Sequence, residues 1–253
     1  MLKNFILILS HNKSLLREDQ RKYILNNLDD RFIFYYFIGD KSIKNWYKVD
    51  EENNIVYLKV GDNYESLSMK VYYAMKFISE NYLDKISGVF KTDDDINLDI
   101  NKIMNCISEN KSNLYFGKSA ISKSYDSTYH YGKCESDIMN RTPIHLPDVE
   151  YCAGGGYYIS KNVLKNILNS KDIYESIIFE DVCTGLSMNR FGIFPNNVDI
   201  KRNGCMWGSF DEQSNDGVYQ FVVPNRIVAD NCKCGEPKNR RASNFCQKCN
   251  RLY

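Results

Sequence analysis

The 253-residue chain has no apolar stretch long enough to cross a bilayer, which takes roughly 20 residues. Its first run, Phe5-Ile6-Leu7-Ile8-Leu9-Ser10, is much shorter, and His11-Asn12-Lys13 follows where a signal peptide would carry a small-residue cleavage site. A buried first strand is therefore expected, in a chain without membrane insertion and with a cytoplasmic location. Charge of one sign is also lacking: the formal net charge of +1 gives no reason to expect a polyanion partner for the whole molecule. Histidine is scarce, and His11, His130 and His145 stand alone, as surface or structural histidines do. No repeat or low-complexity segment occurs. Nine cysteines are present, but the number is odd and no secretion signal accompanies it, which argues against a secreted disulfide framework. Five of them are scattered and read as buried thiols.

Strand-like and helix-like segments alternate through the first half. Phe5 to Leu9 reads as a strand, Ser14 to Leu28 as a helix, Arg31 to Ile38 as a strand ended by Gly39-Asp40, and Ile55 to Val60 as another strand. Leu67, Val71, Met75, Ile78 and Tyr82 form the apolar stripe of a helix over Tyr64 to Tyr82, with Asp62 or Asn63 placed to cap it. Ile86 to Lys91 is a strand that runs straight into Thr92-Asp93-Asp94-Asp95. This alternation predicts an α/β domain with a mostly parallel sheet. Ligands of such sheets bind beyond the carboxyl ends of strands, where strand order reverses, and the acidic triplet lies at such an end.

The second half is less regular. Leu114 to Ser119 is a strand candidate, Tyr125 to Leu146 reads as loop, and helices are expected over Lys161 to Leu168 and Glu180 to Arg190. A break near Val222 to Asp230 separates a body of residues 1–225 from a cysteine-rich tail of residues 230–253.

Three features carry chemistry. Asp93, Asp94 and Asp95 cannot all be buried uncompensated, and a divalent cation would relieve their repulsion; the alternative is a solvated acidic turn. Oxygen ligands suit Mg²⁺ or Mn²⁺, completed by substrate phosphates. Glu180-Asp181 stands at the expected start of a helix, whose dipole favours the charged form that a catalytic base needs. Ordinary helix-start acids are the plainer reading. Gly154-Gly155-Gly156, flanked by Tyr151, Tyr157 and Tyr158, lets a ligand approach the backbone closely or else forms a tight turn.

Together these segments resemble glycosyltransferase family 31, the beta-1,3-galactosyltransferase and N-acetylglucosaminyltransferase family to which the fringe enzymes are related. Asp62-Asn63-Tyr64-Glu65-Ser66-Leu67-Ser68-Met69-Lys70 is similar to its D-x-Y-x-N-L-T-x-K segment, and Lys91-Thr92-Asp93-Asp94-Asp95 to K-x-D-D-D. Tyr151 to Ser160 resembles Y-C-x-G-G-G-Y-x-x-S, and Glu180-Asp181-Val182-Cys183-Thr184-Gly185 resembles E-D-V-x-x-G. The resemblance implies a GT-A fold, a UDP-sugar donor carrying a hexose or N-acetylhexosamine, a glycan or glycoprotein acceptor, catalytic Mn²⁺ or Mg²⁺, inversion at the anomeric carbon and a beta-1,3 linkage.

Carried across, it makes Asp95 and Asp93 the metal ligands and Asp181 the general base. Donor contacts fall to Asp93, Asp94, Lys70, Arg17 and Arg21. Gly154, Gly155, Gly156, Tyr157, Glu180 and Trp207 border the donor sugar and acceptor, although the residue pattern alone favours a core position for Trp207. Two departures stand out. The family's N-terminal tryptophan is missing after Arg17-Glu18-Asp19-Gln20-Arg21, and no histidine after His145 remains to complete the metal shell, so water, Asp199 or Asp211 would replace it. Family members carry a membrane anchor, and its absence here points to a microbial or viral version, in the host cytoplasm if viral.

In the tail, Cys232, Cys234, Cys246 and Cys249 form two close pairs, the pattern of a structural Zn²⁺ site in a short zinc ribbon. Six basic residues against the single acid Glu236 between Asn231 and Tyr253 would let it contact a protein or nucleic acid. A second function follows: a degenerate, non-catalytic transferase body that recruits a partner through the ribbon.

Overall fold

The computed structural model describes residues 2–14, 17–27, 30–207, 245–246 and 251–252. The first half runs β1 (Lys3–Leu9), α1 (Arg17–Asn27), β2 (Phe32–Gly39), β3 (Tyr47–Asp50), β4 (Ile55–Leu58), α2 (Leu67–Tyr82) and β5 (Ile86–Asp93). Then come β6 (Asn97–Leu98), α3 (Ile100–Glu109), β7 (Tyr115–Ser122), β8 (Tyr125–Ser127), β9 (Ile144–Leu146) and β10 (Val149–Ser160). Finally α4 (Leu164–Leu168), α5 (Lys171–Ser176), α6 (Glu180–Asn189), β11 (Asn196–Asn197) and β12 (Met206–Trp207) close the body.

One eight-stranded sheet organises the molecule, in the order β11-β7-β10-β5-β1-β2-β4-β3. Strands β5, β1, β2 and β4 are parallel, β10 is antiparallel to both β5 and β7, and β3 is an antiparallel edge. The uninterrupted apolar runs of β1 and β2 follow from burial on both faces. Phe5, Leu7 and Leu9 join Phe37, Met75 and Ile78 in one core, while Ile6 and Ile8 join Ile24, Phe34, Tyr36 and Ile103 in the other. The chain leaves β1 toward β2 on one side and returns to β5 on the other. The reversal of strand order therefore lies between β1 and β5, and both carboxyl ends open there.

Several expectations need correction. The helix over Tyr64 to Tyr82 begins with a 3-10 turn, Tyr64–Ser66, and neither Asp62 nor Asn63 caps it with a side chain. Asp62 instead accepts from the backbone N–H groups of Asn12 and Gly39 and from Lys70, tying three segments together. The glycine run is part of strand β10, not a turn before a helix: pairing with β7 breaks between Cys152 and Tyr157, so Ala153 to Gly156 bulge from the ladder. The stretch read as loop contains the β8–β9 hairpin.

Cys106, Cys134, Cys152, Cys183 and Cys205 are buried and free, as expected. His130 is fully buried and its Nε2–H donates to the Met139 and Thr142 carbonyls, while His145 sits at the surface on Asp126. Among the described residues no helix is long and apolar enough to cross a membrane. The boundary between body and tail, Asp211, and the cysteines at 232, 234 and 249 lie outside the described residues. Of Cys246 only the backbone is described: Phe245–Cys246 pairs antiparallel with Arg251–Leu252.

Candidate active site

A cleft of about 980 Å³ opens at the carboxyl ends of β1 and β5. Asp93, Asp94 and Asp95 line it together with Lys70, Gly154, Gly155, Glu180 and Asp181, so segments far apart in sequence meet at one place. The acidic turn is held by backbone and side chain alike. Asp94 N–H donates to the Leu9 carbonyl at 3.0 Å, and buried Gln20 donates its amide to the carbonyls of Asp93 and Ile96 at 3.0 and 2.5 Å.

The three aspartates have different surroundings. Asp94 is buried and accepts from Ser10 Oγ at 2.5 Å; Asp93 pairs with Lys91 Nζ at 2.8 Å. Asp95 keeps solvent contact and has no side-chain partner among the described residues. The cleft walls nevertheless raise its carboxyl above the usual range by desolvation, and its neighbours Asp93 and Asp94 add repulsion. A carboxylate in that position gains most from a cation. Among the described residues no three His, Cys, Asp or Glu side chains converge to hold an ion by themselves. The donor set therefore fits Mg²⁺ or Mn²⁺ that takes its remaining ligands from phosphate and water.

Across the cleft, α6 begins at Glu180 and Asp181. Asp181 Oδ2 accepts from Gly154 N–H at 3.2 Å and Oδ1 from Val182 N–H at 2.9 Å. The helix end was expected to favour the charged forms, but burial outweighs it. Desolvation raises Asp181, and pushes Glu180 up to about 7 against the opposing pull of Lys91. Glu180 Oε1 accepts from Lys91 at 2.6 Å and Oε2 from Tyr157 at 2.8 Å.

Not every residue expected at the site lies in it. Tyr157 is fully buried beneath Glu180 and faces the core, because the strand resumes regular pairing there. Gly156 faces Met206, whose Sδ lies 2.5 Å from where a Cβ would be. Arg21 reaches away to the Glu52 carbonyl at 2.6 Å. Arg17 does not line the cleft, but it donates to two residues that do, the His11 carbonyl at 2.8 Å and Ser10 Oγ at 3.2 Å. Lys70 is buried and holds Asp62 at 2.7 Å and the Ser10 carbonyl at 2.9 Å. The Trp207 side chain lies outside the described residues; its backbone pairs with Asn97, just after the acidic turn. Asp199 accepts from Arg202 N–H in a turn and does not line the cleft.

Ser10, Gln20 and Lys91 escaped the sequence reading as working residues. Lys91 did carry a signal, as the lysine of the K-x-D-D-D segment, two residues before the first acid of the triplet.

Gly154 gives a direct test of the geometry. An added Cβ would stand 2.8 Å from Glu180 Oε1 and 3.4 Å from Asp181 Oδ2. Gly154→Ala is expected to displace both acids and lower kcat by about 10²-fold, the cost of a misplacement near 1 Å. Steady-state kinetics beside an unchanged circular dichroism spectrum would check it.

The sequence model of the Galactosyltransferase family matches residues 17–199. Among solved structures, a glycosyltransferase involved in the glycosylation of the major capsid of PBCV-1 is similar at 13% identity, over 77% of this chain and 82% of that one, with a TM-score of 0.44. The galactosyltransferase LgtC, in complex with donor and acceptor sugar analogs, is similar at 12% identity over 76% and 73%, with a TM-score of 0.39. No curated protein matches the sequence. With the family match covering residues 17–199, most of the described α/β body, the chain belongs to the galactosyltransferase family.

Proposed function

We propose that the chain is an inverting, metal-dependent glycosyltransferase that moves a hexose or N-acetylhexosamine from a UDP-sugar to a hydroxyl of a glycan or glycoconjugate, in a beta-1,3 linkage. The observation that carries this reading is the shared cleft. It brings Asp95, a carboxylate without a side-chain partner among the described residues, together with Asp181, a carboxylate held by two backbone N–H groups.

Asp95 would hold the divalent ion, with Asp94 and Arg17, which bonds to the cleft residues Ser10 and His11, on the donor side. Asp93 contributes less freely because Lys91 already engages it. A bound Mg²⁺ or Mn²⁺ supplies charge neutralisation for the departing diphosphate. Asp181 orients the acceptor hydroxyl and takes its proton as the oxygen attacks the anomeric carbon. The bond from that carbon to the diphosphate oxygen breaks, and its electron pair leaves with UDP. Attack from the face opposite the leaving group inverts the centre. Gly154 and Gly155 present backbone to the sugar without side-chain bulk. Glu180, bound to Lys91 and Tyr157, lines the same cleft beside Asp181.

The division into a body of residues 1–225 and a tail of residues 230–253 is part of the same proposal. So is one structural Zn²⁺ on Cys232, Cys234, Cys246 and Cys249, with a protein or nucleic-acid contact through that basic ribbon.

A panel of UDP-sugars with Mn²⁺ tests the enzyme. Turnover of UDP-galactose or of a UDP-N-acetylhexosamine, abolished by a chelator, is the expected result. A purified protein that neither binds UDP with Mn²⁺ nor turns over any donor would leave the recruiting, non-catalytic body as the better account.

A further inference from the structure

Lys91 is 1% exposed, does not line the cleft, and yet bonds to three residues that do. An ammonium group carries three donors and no acceptor. Here all three are used: Lys91 Nζ lies 2.8 Å from Asp93 Oδ1, 2.5 Å from the Gly154 carbonyl and 2.6 Å from Glu180 Oε1. Each acceptor belongs to a different element, the end of β5, the bulge of β10 and the start of α6.

The last two elements are joined again, because Gly154 N–H donates to Asp181 Oδ2. The backbone of Gly154, through the carbonyl on one side and the N–H on the other, thus stands between Lys91 and Asp181. A second cross-link runs parallel to it, from Thr92 Oγ1 to the Gly155 carbonyl at 3.2 Å. The side chain of Tyr157, opposite Lys91 in the β5–β10 register, fixes the other oxygen of Glu180.

Stability alone does not call for this arrangement. Well-packed apolar residues replace buried ion pairs at little or no cost. What an ammonium provides, and a methyl group does not, is three directed bonds from one point. We propose that Lys91 is a positioning residue, which sets the distance between the acidic turn on the donor side and Asp181 on the acceptor side. The inference rests on the transferase reading above and extends it. Lys91 touches no substrate; it acts through Asp93, Gly154 and Glu180. By engaging Asp93 and Glu180, it also leaves Asp95 and Asp181, like Asp94, without a cationic side-chain partner among the described residues.

The test compares kcat with nucleotide affinity in Lys91→Met. Loss of the tether should let α6 and the β10 bulge shift relative to the acidic turn, with kcat falling about 10²-fold. The dissociation constant of UDP with Mn²⁺, measured by titration calorimetry, should stay within about threefold, since donor contacts on the β1–β5 side persist. If Lys91→Met does not fold, Lys91→Gln, which keeps two donors, carries the same comparison. A folded variant whose kcat stays within about threefold of wild type overturns the inference, and so does UDP affinity that weakens in step with kcat. In both of those outcomes the wild type is active. A wild type that turns over no UDP-sugar overturns this inference and the transferase reading together.

Discussion

Asp181→Asn is expected to lower kcat by about 10²- to 10⁴-fold, the range for removing a positioned general base. The substitution is close to isosteric, and the asparagine Oδ1 can still accept a backbone N–H at the α6 start, where Asp181 now accepts from Gly154 and Val182. Folding and binding of UDP with Mn²⁺ should therefore persist. The same residue sets the acid limb of the rate profile. Burial raises the Asp181 carboxyl, so the basic form is lost at a higher pH than for an ordinary aspartate. Activity should fall as pH drops through that raised value and should level off above it. A profile whose acid limb lies at or below the ordinary carboxylate range would contradict the role. So would an Asp181→Asn protein with near-normal kcat.

Asp95→Ala carries the second large effect. With the carboxylate gone, kcat/KM at fixed Mn²⁺ should fall by at least about 10²-fold, comparable to loss of a principal electrostatic contact to developing charge. UDP affinity should lose its dependence on Mn²⁺. Stability should move in the opposite direction. The raised carboxyl of Asp95 reflects desolvation and repulsion by Asp93 and Asp94. A folded-state value above the unfolded one makes the ionised group a liability as pH rises through it, so its removal relieves strain near neutral pH. A melting temperature equal to or above that of wild type, with activity abolished, separates a functional carboxylate from a structural one. Calorimetry with and without Mn²⁺ would check both halves.

The layout of the site was legible because its strands are buried on both faces. Short continuous runs such as Phe5 to Leu9 and Phe32 to Ile38, rich in aromatic and β-branched residues, suit strands covered on both faces, and the acids at the end of β5 mark a carboxyl edge. Spacing along α2 showed its core stripe, as Val71, Met75 and Ile78. The family motifs brought Asp181 into consideration, and the fold brings it to the cleft.

Other features depend on contacts that a linear pattern does not encode. Tyr157 and Gly156 lie off the cleft because regular pairing with β5 resumes at Gly156, which turns Gly156 toward Met206 on one face of the sheet and Tyr157 into the core on the other. Arg21 is one helical turn from Arg17, yet its guanidinium finds the Glu52 carbonyl instead of the cleft. Ser10 and Gln20 matter only through where β1 and α1 set their single polar groups. The dipole argument at Glu180 had the right sign but too small a magnitude against full burial.

A crystal structure with UDP and Mn²⁺ bound puts the central electrostatic claim to its most direct test. The account requires the ion about 2.1 Å from an Asp95 carboxylate oxygen and bound to the diphosphate, with Asp181 across the same cleft facing the acceptor side. An ion and nucleotide seated elsewhere, with Asp95 turned to bulk water, would contradict it.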